Sequence, residues 1–522
     1  MLLFALVLVL SFSPNLHAKT LVLLTTSDLQ GQMEPATVNG ESLGGFARIA
    51  WVIKLAKTLL PQNTIAVATG DDLLGEYFLT FKGRAIYSVL SEMGIDVATL
   101  GNHEFDQGPE VLAEAMEYAG FPFVETNLSA TALSPFKAPF LPCTAFERDG
   151  LRIGFIGLIT PDLPHITRVE NSVQVNPNLA EVATTYAMFL KEFVGVDVVV
   201  ALTHIGLEAD KELAQKVPEI DVICGAHSHD MLMEAVEVPH ENGRKTVIVQ
   251  TGLRGRYFGV LLLQIEDHRI TRYRWVPVKM DSRIPEDQET ARLVESYRSQ
   301  LPPAQVLTHT EVPLDSRGES MRTRETNLGD MVTDVIRQRF GVDAVILNGG
   351  GFRGDRLIPA GPITTQDTAT LFPFGNSVVI LRLKGKVLKE ALERGASALP
   401  QPAGRFLQVS GMRVVIDPTR QPQRLKETNG EVTGIETSGE RVIRVEVATD
   451  NGYLPLDMDR TYTVATNTYL ASGGDGYFML KEKAVSKKDT YVSLKSVVED
   501  WLASRDSIAP ATDGRITVLS TR

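Results

Sequence analysis

Residues 97–106 read VATLGNHEFD. A short β-rich run, 97–100, breaks at Gly101, and an amide, an imidazole and two carboxylates follow within six residues. The same construction recurs on both sides of it. The run 20–26 leads into Ser27-Asp28-Leu29-Gln30-Gly31, and 65–69 leads into Gly70-Asp71-Asp72. Further on, 197–203 leads into His204, and 222–224 leads into Gly225-Ala226-His227-Ser228-His229. Helical patterns lie between these runs, at 46–60, 109–119, 178–193 and 208–216. Strands alternating with helices predict an α/β fold, and in open α/β sheets chemistry gathers where the strands end. A run at 152–158 supplies a further strand.

The strand-end clusters share carboxylate, amide oxygen and imidazole, and contain no thiolate. That donor set suits Mn²⁺, Zn²⁺ or Fe. Two divalent ions a few ångströms apart need a bridging carboxylate, and can clamp a phosphate and lower the pKa of a water. Each piece alone has an ordinary reading: His-x-His is often a solvated loop, and Asp after Gly is often a turn or a helix cap. The set, ordered at successive strand ends, points to a metal centre.

The chain is 522 residues long, which predicts two or three domains. Hydrophobic residues are 43% and charged residues 22%, an ordinary globular balance. The net charge of −12 argues against a nucleic-acid backbone as partner. Two cysteines, Cys143 and Cys224, support neither a disulfide framework nor a thiolate zinc site, and read as buried thiols. The apolar run 2–12, followed by Leu16-His17-Ala18, reads as a signal peptide over 1–18; the alternative is a buried N-terminal helix or strand. The run is too short to span a bilayer, and no later run is long and uncharged enough. An exported protein without a stable membrane anchor is expected. Nothing in the residues decides an oligomeric state.

Near 285–305 the texture changes to mixed charge ending at Pro302-Pro303, which reads as a linker helix or as a helix packed within either domain. The expected division is 19–284, linker 285–305, and 306–522. The second half predicts helices at 327–340 and 386–397, strands at 344–347, 378–383 and 442–448, and a polar loop over 417–435. Three of its features suit an anion and a flat ring. They are Arg322 to Asn327 at a helix start, Asn348-Gly349-Gly350-Gly351-Phe352-Arg353 after a strand, and Phe372-Pro373-Phe374-Gly375-Asn376 together with Tyr469 and Ser472 to Tyr477. Arginines hold phosphates bidentately, glycines admit a ligand close to the backbone, and aromatic faces stack on bases. The ordinary readings are tight loops, core phenylalanines and surface ion pairs.

Together these motifs resemble the calcineurin-like metallophosphoesterases and, across nearly the whole mature chain, the 5′-nucleotidase/UDP-sugar hydrolase family; GNHEFD and NGGGFR are the specific strings. The resemblance implies a fold and a set of roles. The fold would be an N-terminal four-layer metallophosphoesterase β-sandwich flanked by helices, a linker helix, and a C-terminal α/β nucleotide-binding domain. Two divalent metal ions, Mn, Zn or similar, would be bridged by Asp71. Asp28 and His229 would join Asp71 on one ion, and Asn102, His204 and His227 would complete the other. His103 would stabilise the phosphoryl group or protonate the leaving oxygen, and Asp106 would orient it; a structural hydrogen bond is the alternative for His103. Arg322, Asn348 and Arg353 would hold the phosphate or ribose side of a nucleotide, Phe374 and Tyr469 would sandwich the base, and Asp475 would bind sugar hydroxyls. Tyr469 stands where the family often has Phe. The family closes an interdomain cleft by rotation, with the hinge expected near 285–305.

The implied activity is release of phosphate from nucleoside 5′-phosphates by direct attack of water, with UDP-sugars and cyclic nucleotides as further candidate substrates. One departure stands out: the family's first motif is usually Asp-x-His, and Gln30 occupies the His place. Three readings stay open: a substitute ligand, a weaker first site, or binding without turnover. The competing classes are a thiosulfate-hydrolysing sulfur-oxidation enzyme on the same scaffold, and a catalytically weak nucleotide-binding protein.

Overall fold

Seven consecutive buried residues, Val198–His204, show what the apolar runs of the first half become. A strand buried on both faces reads as a continuous apolar run rather than an alternating one. The computed structural model describes residues 18–519 except 39, 138–139, 168, 170, 429–430 and 451. The expected leader therefore lies, but for Ala18, outside the described residues. Among these residues no helix is long and apolar enough to cross a membrane. The chain divides into two compact units, Met1–Pro302 and Pro303–Arg522.

In the first unit the elements are β1 (Lys19–Thr26), α1 (Phe46–Leu59), β2 (Thr64–Ala68), α2 (Arg84–Met93), β3 (Val97–Ala98), β4 (Cys143–Arg148), β5 (Leu151–Ile159), α3 (Leu179–Phe189), β6 (Val198–His204), α4 (Leu207–Lys216), β7 (Val222–Cys224), β8 (Val236–Pro239), β9 (Lys245–Val249), β10 (Tyr257–Glu266), β11 (Arg269–Lys279) and α5 (Gln288–Arg298). The two large sheets are ordered β11-β10-β1-β2-β3 and β8-β9-β7-β6-β5-β4. Side chains alternate across each strand, so both faces of both sheets are used. Leu21, Leu23 and Val67 from one sheet meet Phe155, Val200 and Leu202 from the other in a shared core. Val22 and Leu24 face the opposite way and pack with Ile49, Val52 and Leu90 of α1 and α2. On the far side, Val199 and Ala201 pack with Ala183 and Ala187 of α3 and Leu213 of α4. The result is the expected helix–sheet–sheet–helix order of four layers.

Register decides where the loops emerge. Parallel pairing sets Thr26 beside Ala68 and Val67 beside Val97, so β1, β2 and β3 end at one edge. In the other sheet Leu202 pairs with Cys224, and β6 and β7 also finish together. Helix α5 contributes Val294 to the core lined by α1 and α2. Its cap Asp287 accepts from Thr290 N at 2.9 Å and from Lys54 Nζ at 2.8 Å.

The second unit contains α6 (Asn327–Phe340), β12 (Ala344–Asn348), β13 (Ser377–Lys384), α7 (Gly385–Ala396), β14 (Leu407–Ser410), β15 (Thr461–Asn467), β16 (Ser486–Ser493) and α8 (Leu494–Ala503). A mixed sheet, β14-β12-β15-β13-β16, is covered on one face by α7 and on the other by α6 and α8. Asn348 ends β12, Asn467 ends β15 and Ser377 begins β13; Val378 pairs with Asn467, and Asn348 with Leu407, so these polar residues share one sheet edge. The stretch expected as a polar loop over 417–435 is instead largely a hairpin, Arg424–Thr428 with Glu431–Thr437. Backbone pairing there needs no apolar run, and Asn429-Gly430 between the strands is the turn signal that identifies it. Cys143 and Cys224 are free thiols, the first half-buried and the second buried.

An acid in the second unit makes stability depend on pH. Asp330 on α6 is 2% exposed and neither carboxylate oxygen has a hydrogen-bond partner. Burial pushes its pKa up from 3.8 to about 8, against the pull of Arg515 and with the help of Glu325 and Asp513. The folded group keeps its proton up to about 8 while the unfolded one loses it near 3.8, so stability falls as pH rises across that window. Thermal melts of the full chain are expected to show the second unit weakening between about pH 4 and pH 8, and Asp330→Asn is expected to flatten that slope. Equal slopes in both proteins would contradict this reading.

Candidate active site

The strand-end loops of the first unit bring the expected ligands together. One carboxylate or imidazole atom each from Asp71, His204 and His227 lies within 4.8 Å of the others, and the same holds for Asp28, Asp71 and His229. Asp71 belongs to both groups, which is the arrangement a bridging ligand requires. His204 Nε2 stands 3.2 Å from Asp71 Oδ2, and His204 Nδ1 bonds Thr69 O at 2.9 Å, which fixes the ring. His229 Nε2 lies 3.6 Å from Asp28 Oδ1. Gln30 reaches the same place, its Nε2 3.1 Å from His229 Nε2.

Whether these residues suit a cation can be judged from what they leave unsatisfied. Asp28 Oδ2, Gln30 Oε1, Asn102 Oδ1 and His204 Nε2 are all buried without a hydrogen-bond partner. Each orphan would cost about 1–3 kcal/mol in a merely structural site. Divalent ions would satisfy these atoms, Asp28 and Gln30 at one position and Asn102 and His204 at the other, and their oxygen and nitrogen character fits such ions. The charge balance agrees. Burial pushes the Asp28 carboxyl up to about 7, with Asp71 adding to the rise and His204 opposing it. Burial also acts on Asp71, but the His103 and His204 imidazoles outweigh it and hold that carboxyl well below its ordinary value.

Backbone strain marks the same residues. Asp28, Gln30, Asp71, His227 and His229 have φ of +49°, +47°, +54°, +79° and +61°. Left-handed non-glycine residues cost about 1–3 kcal/mol each and cluster where function demands the geometry. Gly101 permits the loops to meet: a Cβ there would lie 2.3 Å from Asp71 Oδ1 and 2.7 Å from His204 Cε1.

His103 sits beside this cluster. Its Nδ1 and Asp106 Oδ2 are 2.7 Å apart, and Thr167 Oγ1 donates to Asp106 Oδ1 at 3.2 Å. Its backbone N donates to Asp71 Oδ1 at 2.8 Å, and its Nε2 is 3.7 Å from Asp71 Oδ2. With Nδ1–H held by Asp106, Nε2 is the nitrogen turned toward the cluster.

Glu104 has a role that sequence reasoning missed. Its buried carboxylate accepts from Asp71 N (2.9 Å), Asp72 N (2.8 Å), Leu73 N (2.9 Å) and Gly101 N (2.6 Å), tying the loop after β2 to the loop after β3. A glutamate inside a run of functional residues gives no sign of facing backbone. Glu104→Gln replaces one acceptor oxygen by an N–H₂ that faces donors. Calorimetric unfolding is expected to show a loss of at least about 3 kcal/mol, and titration a weaker affinity for Mn²⁺. Unchanged stability would show that the loops hold each other without this carboxylate.

The other predicted residues lie in the second unit. Asn467 Nδ2 donates to Asn348 Oδ1 at 2.9 Å, and Asn348 Nδ2 donates to Asp475 Oδ2 at 3.0 Å. Tyr469 OH donates to Asp475 Oδ1 at 3.0 Å and accepts from Asp475 N at 3.1 Å. The Arg353 guanidinium lies 5.6 Å from the Phe374 ring centre. Burial, with Arg353 alongside, pushes Arg322 down to about 10 against Asp355 and Asp475, and its Nε has no hydrogen-bond partner. Two neighbouring guanidiniums of this kind suit an anion. Arg324 is exposed and donates to Ser320 Oγ at 2.9 Å.

Residues 21–231 match the family model for calcineurin-like phosphoesterases, and 306–482 match that for the C-terminal domain of 5′-nucleotidases. Human 5′-nucleotidase is 29% identical over 96% of this chain and 92% of its own length. The crystal structure of a 5′-nucleotidase precursor from Thermus thermophilus is 32% identical, with 97% of this chain and 100% of that chain covered and a TM-score of 0.86. A sulfate thiohydrolase from the same organism superposes with a TM-score of 0.73 over 96% of this chain and 97% of its own, but at 17% identity that likeness is one of fold.

Proposed function

Because the chain belongs to the 5′-nucleotidase family, built from a calcineurin-like phosphoesterase domain and a 5′-nucleotidase C-terminal domain, we propose that it is a metal-dependent hydrolase releasing inorganic phosphate from nucleoside 5′-phosphates. The observation that carries this reading is the pair of ligand groups sharing Asp71, with orphaned buried atoms of Asp28, Gln30, Asn102 and His204 at the same loops. Asp28, Gln30, Asp71 and His229 would hold one divalent ion, and Asp71, Asn102, His204 and His227 the other. Such ions supply Lewis-acid charge to the phosphoryl oxygens and lower the pKa of water when bound.

The chain's own groups would do the rest. Water attacks phosphorus in line, the bond from phosphorus to the 5′ oxygen breaks, and a proton passes to the leaving oxygen. His103, oriented by Asp106, would present Nε2 to the phosphoryl oxygens or to that leaving oxygen. In the second unit, Arg322 and Arg353 would hold the anionic side of the nucleotide, and Phe374 and Tyr469 would stack on the base. Gln30 would be a substitute ligand, a reading supported by its reach to His229. The leader would direct export to the periplasm or the medium, and the hinge would lie within 285–305.

The test is phosphate release from 5′-AMP by chelator-treated protein before and after Mn²⁺ is restored, beside a thiosulfate-bearing substrate. Restored release from 5′-AMP is expected. Turnover of the sulfur substrate alone would overturn the reading.

A further inference from the structure

Asp330 sits in the first turn of α6, 2% exposed, with no hydrogen bond to either carboxylate oxygen. One oxygen each from Glu325, Asp330 and Asp513 lies within 4.8 Å of the others. Arg515 is close by, its Nε 3.5 Å from Asp330 Oδ1. Yet all five N–H groups of that guanidinium are spent elsewhere. Nε donates to Asp513 Oδ1 (2.9 Å), Nη1 to Asp334 Oδ1 (2.7 Å) and Val409 O (3.3 Å), and Nη2 to Asp334 Oδ2 (3.0 Å) and Asp513 Oδ2 (2.9 Å). Arg515 attracts Asp330 by charge and gives it no hydrogen bond.

The neighbours also keep acceptor capacity. Glu325 is placed by backbone: Oε1 accepts from Asp513 N (2.8 Å) and Gly514 N (2.9 Å), and Oε2 from Ile516 N (2.9 Å). Glu325 Oε2 and Asp513 Oδ2 each accept one bond and have room for another, and both Asp330 oxygens have room for two. Charge points the same way. The carboxylates of Glu325, Asp330, Asp334 and Asp513 outnumber the guanidiniums that face them, Arg515 and, beside Asp513, Arg413. The acid cluster Glu92, Asp287 and Glu289 shows the ordinary solution: Lys54 Nζ reaches all three, at 2.7, 2.8 and 3.4 Å. Among the described residues, no side chain does that for Asp330.

We propose that Glu325, Asp330 and Asp513 form a binding site for a hard divalent cation, Ca²⁺, within the second unit. An all-oxygen, carboxylate-rich set without imidazole suits Ca²⁺, which tolerates an irregular shell completed by water. Asp513 is exposed and gives the ion access. In the ion-free chain the Asp330 proton described above takes the cation's place. Bound there, Ca²⁺ would join the segment just after Arg322, the first turn of α6 and the loop before the last strand, Ile516–Val518. It would brace the stretch of chain that carries Arg322. The site is built from the second unit alone and is independent of the ligand groups that share Asp71.

The experiment titrates Ca²⁺ calorimetrically into chelator-treated, full-length Asp71→Asn, which lacks the shared acid of the first unit, beside the same chain carrying Asp330→Asn as well. The first protein is expected to bind one Ca²⁺ with a Kd of about 10⁻³ M or tighter, and its Tm should rise with Ca²⁺ concentration. Adding Asp330→Asn should weaken binding at least about 10-fold and remove the rise in Tm. Asp513→Asn, on an exposed loop, is the second variant and should weaken binding in the same direction. Equal Ca²⁺ binding and equal Tm response with and without these substitutions would overturn the inference. So would the absence of binding at millimolar Ca²⁺ in the first protein, because a proton or a water would then be what satisfies Asp330.

Discussion

Asp71→Asn is expected to abolish phosphate release, with kcat/KM for 5′-AMP falling by on the order of 10³-fold or more. Asp71 is the residue common to the two ligand groups, so one substitution weakens both. An asparagine keeps the shape of the side chain and can still accept from His103 N, a bond now made at 2.8 Å. It removes the charge that holds His103 and His204 close and leaves Asp28 as the remaining acid of the two groups. The loss should therefore appear in metal content as well as in rate. A variant that keeps its metal and most of its activity would remove Asp71 from the bridging role.

His103→Ala is the second large effect. Proton transfer and charge stabilisation by a positioned imidazole contribute about 10²–10⁴-fold, and the loss should fall on kcat. His103 is held from two sides, by Asp106 at Nδ1 and through its own backbone N by Asp71. Neither hold involves the atoms that would ligate metal in Asn102, His204 or His227, so Mn²⁺ binding should be preserved. Asp106→Asn should show a smaller loss of the same kind, because the ring stays but its orientation loosens. Loss of metal in step with activity in His103→Ala would mean that the residue is structural rather than catalytic.

The fold was legible wherever an apolar run ended in a polar cluster. The runs leading to Asp28, Asp71 and His204 became central strands, the run leading to Asn102 became the two-residue edge strand β3, and the helix at Asn327–Phe340 matches its expected bounds. What stayed hidden lacked that contrast. Strands Tyr257–Glu266 and Arg269–Lys279 pair antiparallel beside β1, and the second is studded with arginines, so it does not read as a strand of a buried sheet. The 424–437 hairpin pairs Leu425 with Ile435 but has no continuous apolar run, and its Asn-Gly dipeptide is the signal that identifies it.

The site shows the same division. Which residue types converge could be read from GNHEFD and its companions. The left-handed backbone at Asp28, Gln30, Asp71, His227 and His229, and the four backbone donors gathered by Glu104, depend on distant parts of the chain and have no local signature. Gln30 is instructive in the opposite direction. The sequence marks it as a departure, and its contact with His229 brings it to the cluster all the same.

The most direct test of the central claim is anomalous scattering at the manganese edge from crystals of the full chain soaked in Mn²⁺. Two peaks are predicted, one among Asp28, Gln30, Asp71 and His229 and one among Asp71, Asn102, His204 and His227, with Asp71 contacting both. A single peak away from Asp71, or none at saturating metal, would contradict the account.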